Sequence, residues 1–227
     1  MKECLLVLGS ALITTFSVAT SHTNKGIVPS LQYEDTAYTR VITERAGKIV
    51  ATLGIVDSSA FLRVRGIVAD QYRDLNTIYN ERDSAIKILK NQPAADKQVI
   101  DSGRKNVEAA ATKKLDRLHG QYLARLGAVL TPKQVEQVKD GMTYNVLNLT
   151  YRAYQDELPT LTETQKARIL ADLTEAREHA MDAESSEKKH AWFGKYKGRI
   201  NNYLSAEGYD MKKAGEAWAE RRKAAGN

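Results

Sequence analysis

The sequence predicts an all-α protein, a single multi-helix bundle with long amphipathic helices, and three observations carry that expectation. Apolar residues recur three and four positions apart along most of the chain, the spacing that lines one face of a helix. Alternating Val, Ile and Thr of the kind a strand needs is scarce, and only 4 prolines interrupt 227 residues. Helix-start signals, each a capping side chain followed by a compatible first turn, stand at intervals between the apolar stripes.

Taken in order, Tyr38, Val41, Ile42, Ala46, Ile49, Val50 and Leu53 form the first stripe, which Gly54 stops. Asp57 suits the N-cap of the next helix, with Val56 and Phe61 placed for a hydrophobic staple. A stripe from Phe61 through Val64, Val68, Tyr72, Leu75, Tyr79 and Ile86 to Leu89 predicts a long helix that ends before Pro93. A third helix starts around Ala95 and carries Leu115, Leu118, Tyr122, Leu123, Leu126 and Val129. Next come two pentapeptides of one pattern, Leu130-Thr131-Pro132-Lys133-Gln134 and Leu161-Thr162-Glu163-Thr164-Gln165. In each, Thr is the N-cap and the Gln three residues on can return the hydrogen bond, and Pro132 suits a first helical position. Val135 stands where it could staple to Leu130. The stretch between them, from Tyr144 to Pro159, reads as a turn followed by a short helix over residues 151–158. The helix from Thr162 runs to about Met181, another covers residues 187–204 and stops near Gly208, and Asp210 caps a last one holding Met211, Ala214 and Trp218. No domain-length linker separates these helices, so residues 34–227 are expected to form one helical domain.

The first residues have a different character. A positive start, an apolar run through Leu5, Leu8, Leu12, Ile13 and Phe16, and small residues at Ser17-Val18-Ala19 read as a secretory signal peptide over residues 1–19. The run is too short to span a bilayer comfortably, since a spanning helix needs about 20 apolar residues. Cys4 precedes the apolar run instead of following it, which argues against a lipid-anchored form. Residues 20–33, with Ser21, Thr23, Asn24, Gly26, Pro29 and Ser30, read as a flexible leader. The expected location is periplasmic or secreted, with no membrane span once the signal is cut. Cleavage would remove the sole cysteine, which excludes an intrachain disulfide, thiolate catalysis and cysteine metal clusters.

The 34 Lys and Arg exceed the 28 Asp and Glu, for a formal charge of +6. In an exported protein such an excess points to anionic glycans, lipid headgroups or acidic proteins before nucleic acid, and it is also common in ordinary soluble proteins. His22, His119, His179 and His190 lack paired ligand spacing, so no metal site is expected, and a His119 on an apolar face reads as a satisfied histidine. There is no G-x-S-x-G elbow, P-loop or G-x-G-x-x-G motif, no cofactor is implied, and no catalytic residue can be named.

Residues 187–204 hold the densest chemistry, with five Lys or Arg, one acid and four aromatic side chains. On a helix, Trp192, Phe193, Tyr196, Ile200, Tyr203 and Leu204 share an arc of about 120°. Lys188, Lys195, Arg199 and Asn202 lie on one side of it, and His190, Lys197 and Asn201 on the other. Gly194 and Gly198 fall together on the back, where they could admit a close helix neighbour. Two readings stand. The arc suits the core of a bundle, with lysine stems resting on its edges. It also suits a sugar platform, in which Trp192 and Tyr203 stack on ring faces, Lys195 and Arg199 meet carboxylates, and Asn201 or Asn202 reads hydroxyls, with His190 beside them. Gln71-Tyr72-Arg73-Asp74-Leu75-Asn76 and the Thr143-Tyr144-Asn145 turn are further clusters rich in hydrogen-bonding groups; Tyr72, Asp74, Asn76 and Tyr144 are candidate ligand contacts.

The L-T-x-x-Q pair resembles the Spy/CpxP-like periplasmic chaperones, a resemblance confined to those pentapeptides. A broader one covers nearly all of the chain beyond the signal. The order of Gln71-Tyr72-Arg73-Asp74-Leu75-Asn76, then Leu130-Thr131-Pro132 through Asp140-Gly141-Met142-Thr143-Tyr144, then residues 185–204 is similar to domain of unknown function family 3826 of the Bacteroidota. That resemblance implies an exported, sugar-binding protein and supplies no catalytic residues. The sequence thus points to an exported carbohydrate-binding protein, with acidic polysaccharide fragments as ligands. The alternatives are a chaperone or envelope-stress protein whose partners are unfolded proteins, and a glycan-processing enzyme.

Overall fold

The computed structural model describes residues 31–91 and 96–226, and the helical expectation holds across them. Eight helices make up these residues, and no strand occurs among them. The expected signal peptide and most of the expected leader, residues 1–30, lie outside the described residues. No helix among the described residues is long and apolar enough to cross a membrane.

α1 (Leu31–Ala51) begins within the expected leader, and the chain turns through Gly54, whose φ is +68°. α2 (Ser58–Lys90) starts where Asp57 accepts a hydrogen bond from the Ala60 amide at 2.6 Å. The Val56 staple does not form: Val56 is 96% exposed, while its neighbour Ile55 packs on the core. α3 (Lys97–Gly127) is capped by Asp96 and ends before Val129. α4 (Pro132–Met142) and α6 (Glu163–Met181) both open with a complete capping box, at Thr131/Gln134 and Thr162/Gln165. Leu130 and Val135 pack into the same cluster, as a staple there requires. α5 (Val146–Glu157) is longer than the expected short helix. It begins directly after Asn145, which has a left-handed backbone and makes no side-chain cap, so the usual start signal is missing. α7 (Ser186–Ala206) is capped by Ser185, and α8 (Met211–Ala224) by Asp210.

Apolar burial divides into two clusters. The first joins α1 to α4 around Ala46, Val50, Val68, Tyr122, Leu126 and Val138, and takes in Met181 from the end of α6. The second joins α5 to α8 around Leu147, Ile169, Leu173, Phe193, Ile200 and Leu204. Gly141 of α4 makes close approach possible in the first cluster, because a Cβ there would meet Ile49 Cγ2 at 2.9 Å.

A polar seam fastens the two clusters together. Arg177 of α6, 3% exposed, donates to Asp140 at 2.7 Å, and also to Glu136 and Glu178. Lys139 donates to Glu178 at 3.1 Å. His119 of α3 lies between Asp182 and Glu178, at 2.7 and 3.4 Å. The expectation of a satisfied histidine is met here, with acids and not apolar neighbours as its partners. Every buried charge in this seam has opposite charges beside it, the arrangement in which low-dielectric ion pairs are tolerated.

Candidate functional site

A cleft of about 360 Å³ opens where α1, α2 and the start of α7 meet. Helical periodicity explains its walls. On α2, Tyr72, Asn76, Tyr79 and Asp83 succeed one another at intervals of four, three and four, so they form one line down the helix. On α1, Tyr38, Ile42 and Arg45 do the same, facing them. Tyr144, from the turn between α4 and α5, and residues 183–186, from the turn between α6 and α7, complete the wall, and Lys189 of α7 lies among them.

The α6–α7 turn is held firmly against α2. The Tyr79 hydroxyl donates to the Asp182 carbonyl at 2.6 Å, and Arg82 reaches Glu184 at 2.5 Å. On the other side the Tyr38 hydroxyl donates to the Tyr72 carbonyl at 3.1 Å, tying α1 to α2. These bonds occupy two of the cleft's phenols in structural work. Tyr72 differs. It is 8% exposed, and its hydroxyl has no hydrogen-bond partner among the described residues. Burial pushes that phenol up to about 12, so it stays a neutral donor at physiological pH. The amides of Asn76 and Asn80 likewise make no hydrogen bond to the described residues.

Tyr144 is the strained member. Its φ of 57° and the 58° of Asn145 place two successive non-glycine residues in the left-handed region, where a Cβ crowds the backbone. The conformation leaves the Tyr144 ring 44% exposed at the cleft, parallel to His190 with centroids 5.5 Å apart. Strain kept at an exposed aromatic is more common at ligand sites than elsewhere.

Two cations complete the site. Arg45 stands over the Tyr72 ring at 5.4 Å. Lys189 is 5% exposed and donates to the Ala180 and Met181 carbonyls, both at 2.9 Å. Burial lowers its ammonium to about 8, against the opposing charge of Asp182 and with a smaller push from Arg45.

The candidate residues read from the sequence therefore fall into separate places. Tyr72, Asn76 and Tyr144 meet in the cleft, with His190 stacked at its edge. Asp74 faces away from it, 3.8 Å from Arg125 of α3. Trp192, Lys195, Arg199, Asn201, Asn202 and Tyr203 lie further along α7 and do not line this cleft. Phe193, Tyr196, Ile200 and Leu204 are the buried centre of the α7 stripe, with Trp192 and Tyr203 half-buried on its flanks. Trp192 stacks on His179 at 4.4 Å and carries Lys195 over its ring at 4.9 Å. Arg168 stands over Tyr203. Arg199 is held by Asp172 and Glu175 at 3.3 and 3.2 Å, and Asn201 accepts from the Tyr154 hydroxyl at 2.7 Å. Asn202 is exposed. Gly194 and Gly198 have open space where a Cβ would stand, so they admit no close neighbour.

Arg45 and Lys189 are cleft residues that the sequence reading did not single out. A signal for Lys189 existed: it precedes Phe193, Tyr196, Ile200 and Leu204 at core spacing, a lysine in register with a buried stripe. Arg45 had none, since an arginine on a helix flank is ordinary.

Fold and site together define a class: an all-helical protein with an open, tyrosine-walled cleft. The family model described as protein of unknown function (DUF3826) matches residues 39–224, and the chain belongs to that family. The matched span takes in every cleft residue except Tyr38. No curated protein matches the chain.

Proposed function

We propose that this is an exported carbohydrate-binding protein whose ligand lies in the α1–α2–α7 cleft, with acidic polysaccharide fragments as the favoured class. The observation that supports this most is Tyr72, a nearly buried phenol lining an open cleft with no protein partner for its hydroxyl. The hydroxyl reaches the open cleft, so a ligand hydroxyl can take the place of water on it without breaking a bond within the protein. The neighbours suit a sugar as well. Tyr144 offers an exposed ring face, and Asn76 and Asn80 offer both donors and acceptors. Export rests on the N-terminal signal-like segment. The L-T-x-x-Q pair, on which the chaperone resemblance depends, is accounted for by two capping boxes that start α4 and α6.

Calorimetric titration with neutral and acidic oligosaccharides tests the proposal. Binding should weaken at least tenfold in Tyr72→Phe combined with Asn76→Ala, and should be little changed in Trp192→Ala combined with Arg199→Ala. Loss of binding in the α7 pair alone would move the site to the α7 flank. No heat with any oligosaccharide at millimolar concentration would end the carbohydrate reading.

A further inference from the structure

Three cationic side chains are buried among the described residues, Lys139, Arg177 and Lys189. Lys139 has Glu136 and Glu178 within 3.1 Å. Arg177 has Glu136, Asp140 and Glu178. Lys189 differs, for no carboxylate of the described residues lies within 4 Å of its Nζ, and Asp182, itself bound to His119, acts on it only from further off. Its two bonds go to the last carbonyls of α6, whose partial negative charge offsets some of the burial cost. A tetrahedral ammonium has three N–H bonds, so one donor remains after those two carbonyls are served.

The other charges of the cleft do not supply the missing anion. Asp83 and Glu184 both line it, and both are engaged by the same guanidinium, Arg82, at 2.6 and 2.5 Å. Arg45 has no carboxylate partner among the described residues and rests on the Tyr72 ring. The cleft therefore gathers two cations, neither with a carboxylate of the described residues within 4 Å, while its two lining acids are both turned to Arg82. Ser186, the first residue of α7, lines the same place, a helix end that favours negative charge.

We propose that the Lys189–Arg45 side of this cleft is a carboxylate subsite, which holds the acid group of a uronic acid while the tyrosines take its ring. The inference rests on the carbohydrate reading and adds to it the group that decides between ligands. Arg45 can meet a carboxylate with two N–H groups and Lys189 with one. Neutral sugars would leave both cations unmatched and gain only the ring and hydroxyl contacts.

The test compares galacturonate and glucuronate oligosaccharides with their methyl esters, which keep the ring and lose the charge, by calorimetry on the signal-free protein. Inorganic sulfate serves as a sugar-free anion. The acids should bind at least tenfold more tightly than the esters, weaken as salt is raised from 0.05 to 0.5 M, and lose that advantage in Arg45→Gln and in Lys189→Met. Arg45 lies on the surface, so its variant keeps the question open to an answer if Lys189→Met folds poorly. Equal binding of acid and ester would overturn the subsite and leave the carbohydrate reading intact. Sulfate binding with no sugar bound would overturn both the uronate assignment and the carbohydrate reading. Silence from all three probes would do the same and leave Lys189 as a cap on α6 alone.

Discussion

His119 Nδ1 lies 2.7 Å from an Asp182 carboxylate oxygen while Nε2 lies 3.4 Å from Glu178, so one imidazole on α3 bridges two acids of the α6 end. Both nitrogens can donate only when the ring is protonated. The hydrogen bonds to Asp182 and Glu178 accordingly raise the His119 pKa to about 9, against the opposing effect of burial. Burial alone would raise Glu178, but the His119 bond and the charges of Lys139 and Arg177 draw it down to about 2. The clamp positions Asp182, whose carbonyl holds the cleft residue Tyr79.

This pair gives a pH prediction. A group with a folded pKa above its unfolded value stabilises fully below the unfolded value, and that contribution fades as pH rises through the folded one. For His119 the window runs from about 6.5 to about 9. Lys189 works in the opposite sense: lowered to about 8 from 10.5, it makes the fold more stable as pH rises between those values. Urea unfolding from pH 6 to pH 10 in the wild type and His119→Gln separates the two. The variant should lose on the order of 2 kcal/mol at pH 6 and converge on the wild type near pH 10. A constant difference across that range would show that His119 acts by shape and not by charge.

Arg177 carries the strongest prediction about stability. It is 3% exposed and its guanidinium reaches α4 carboxylates at Glu136 and Asp140 as well as its neighbour Glu178. Replacing it with Met leaves Asp140 facing α6 without its cation, and breaking buried pairs of this kind costs about 3–5 kcal/mol. Glu136 is half exposed, so water takes up part of that loss and about 3 kcal/mol is expected. Equilibrium denaturation measures it. A change below about 1 kcal/mol would mean that the seam does not fasten the two clusters.

How much of this was legible beforehand depended on distance along the chain. Helix starts were readable wherever a side chain caps locally, as at Asp57, Thr131, Thr162 and Asp210. The start of α5 was not, because left-handed Asn145 makes no such cap. Tyr72, Asn76 and Tyr144 stood out by residue type, yet nothing local told that they share a cleft with Arg45 and Lys189. Their meeting depends on the α1–α2 pairing, where Tyr38 reaches 34 positions to Tyr72, and on the α6–α7 turn packing against α2, where the contacts span more than a hundred. The α7 stripe shows the converse. Its aromatics, cations and amides are close in sequence, but Arg199 and Asn201 are spent on Asp172, Glu175 and Tyr154.

The glycines separate into two kinds that one experiment distinguishes. Gly194 and Gly198 lie inside α7 with open space around them, so alanine at either should stabilise the protein by about 0.5–1 kcal/mol through helix propensity alone. Gly141 should behave in the opposite way. A Cβ there stands 2.9 Å from Ile49 Cγ2, and overpacking of that sort costs about 1–3 kcal/mol. Thermal denaturation of the three single variants should show two higher midpoints and one lower. A raised midpoint for Gly141→Ala would mean that α1 and α4 can slide apart freely.

Tyr144 allows the functional and structural roles of the cleft to be set against each other. A left-handed backbone costs a residue with a Cβ about 1–2 kcal/mol, and glycine removes that cost while adding about 0.5–1 kcal/mol of chain entropy to fold. The ring's contacts are few, being 44% exposed with one stacking partner in His190. Tyr144→Gly should therefore melt at the wild-type temperature or slightly above it. If the ring is the sugar-facing surface of the cleft, the same variant should bind oligosaccharide at least tenfold more weakly, because glycine offers no face to stack on. Retained stability with lost binding is what a strained ligand contact produces. Lowered stability would instead make Tyr144 a packing residue, and unchanged binding would remove it from the site while leaving Tyr72 and Asn76 to carry the cleft.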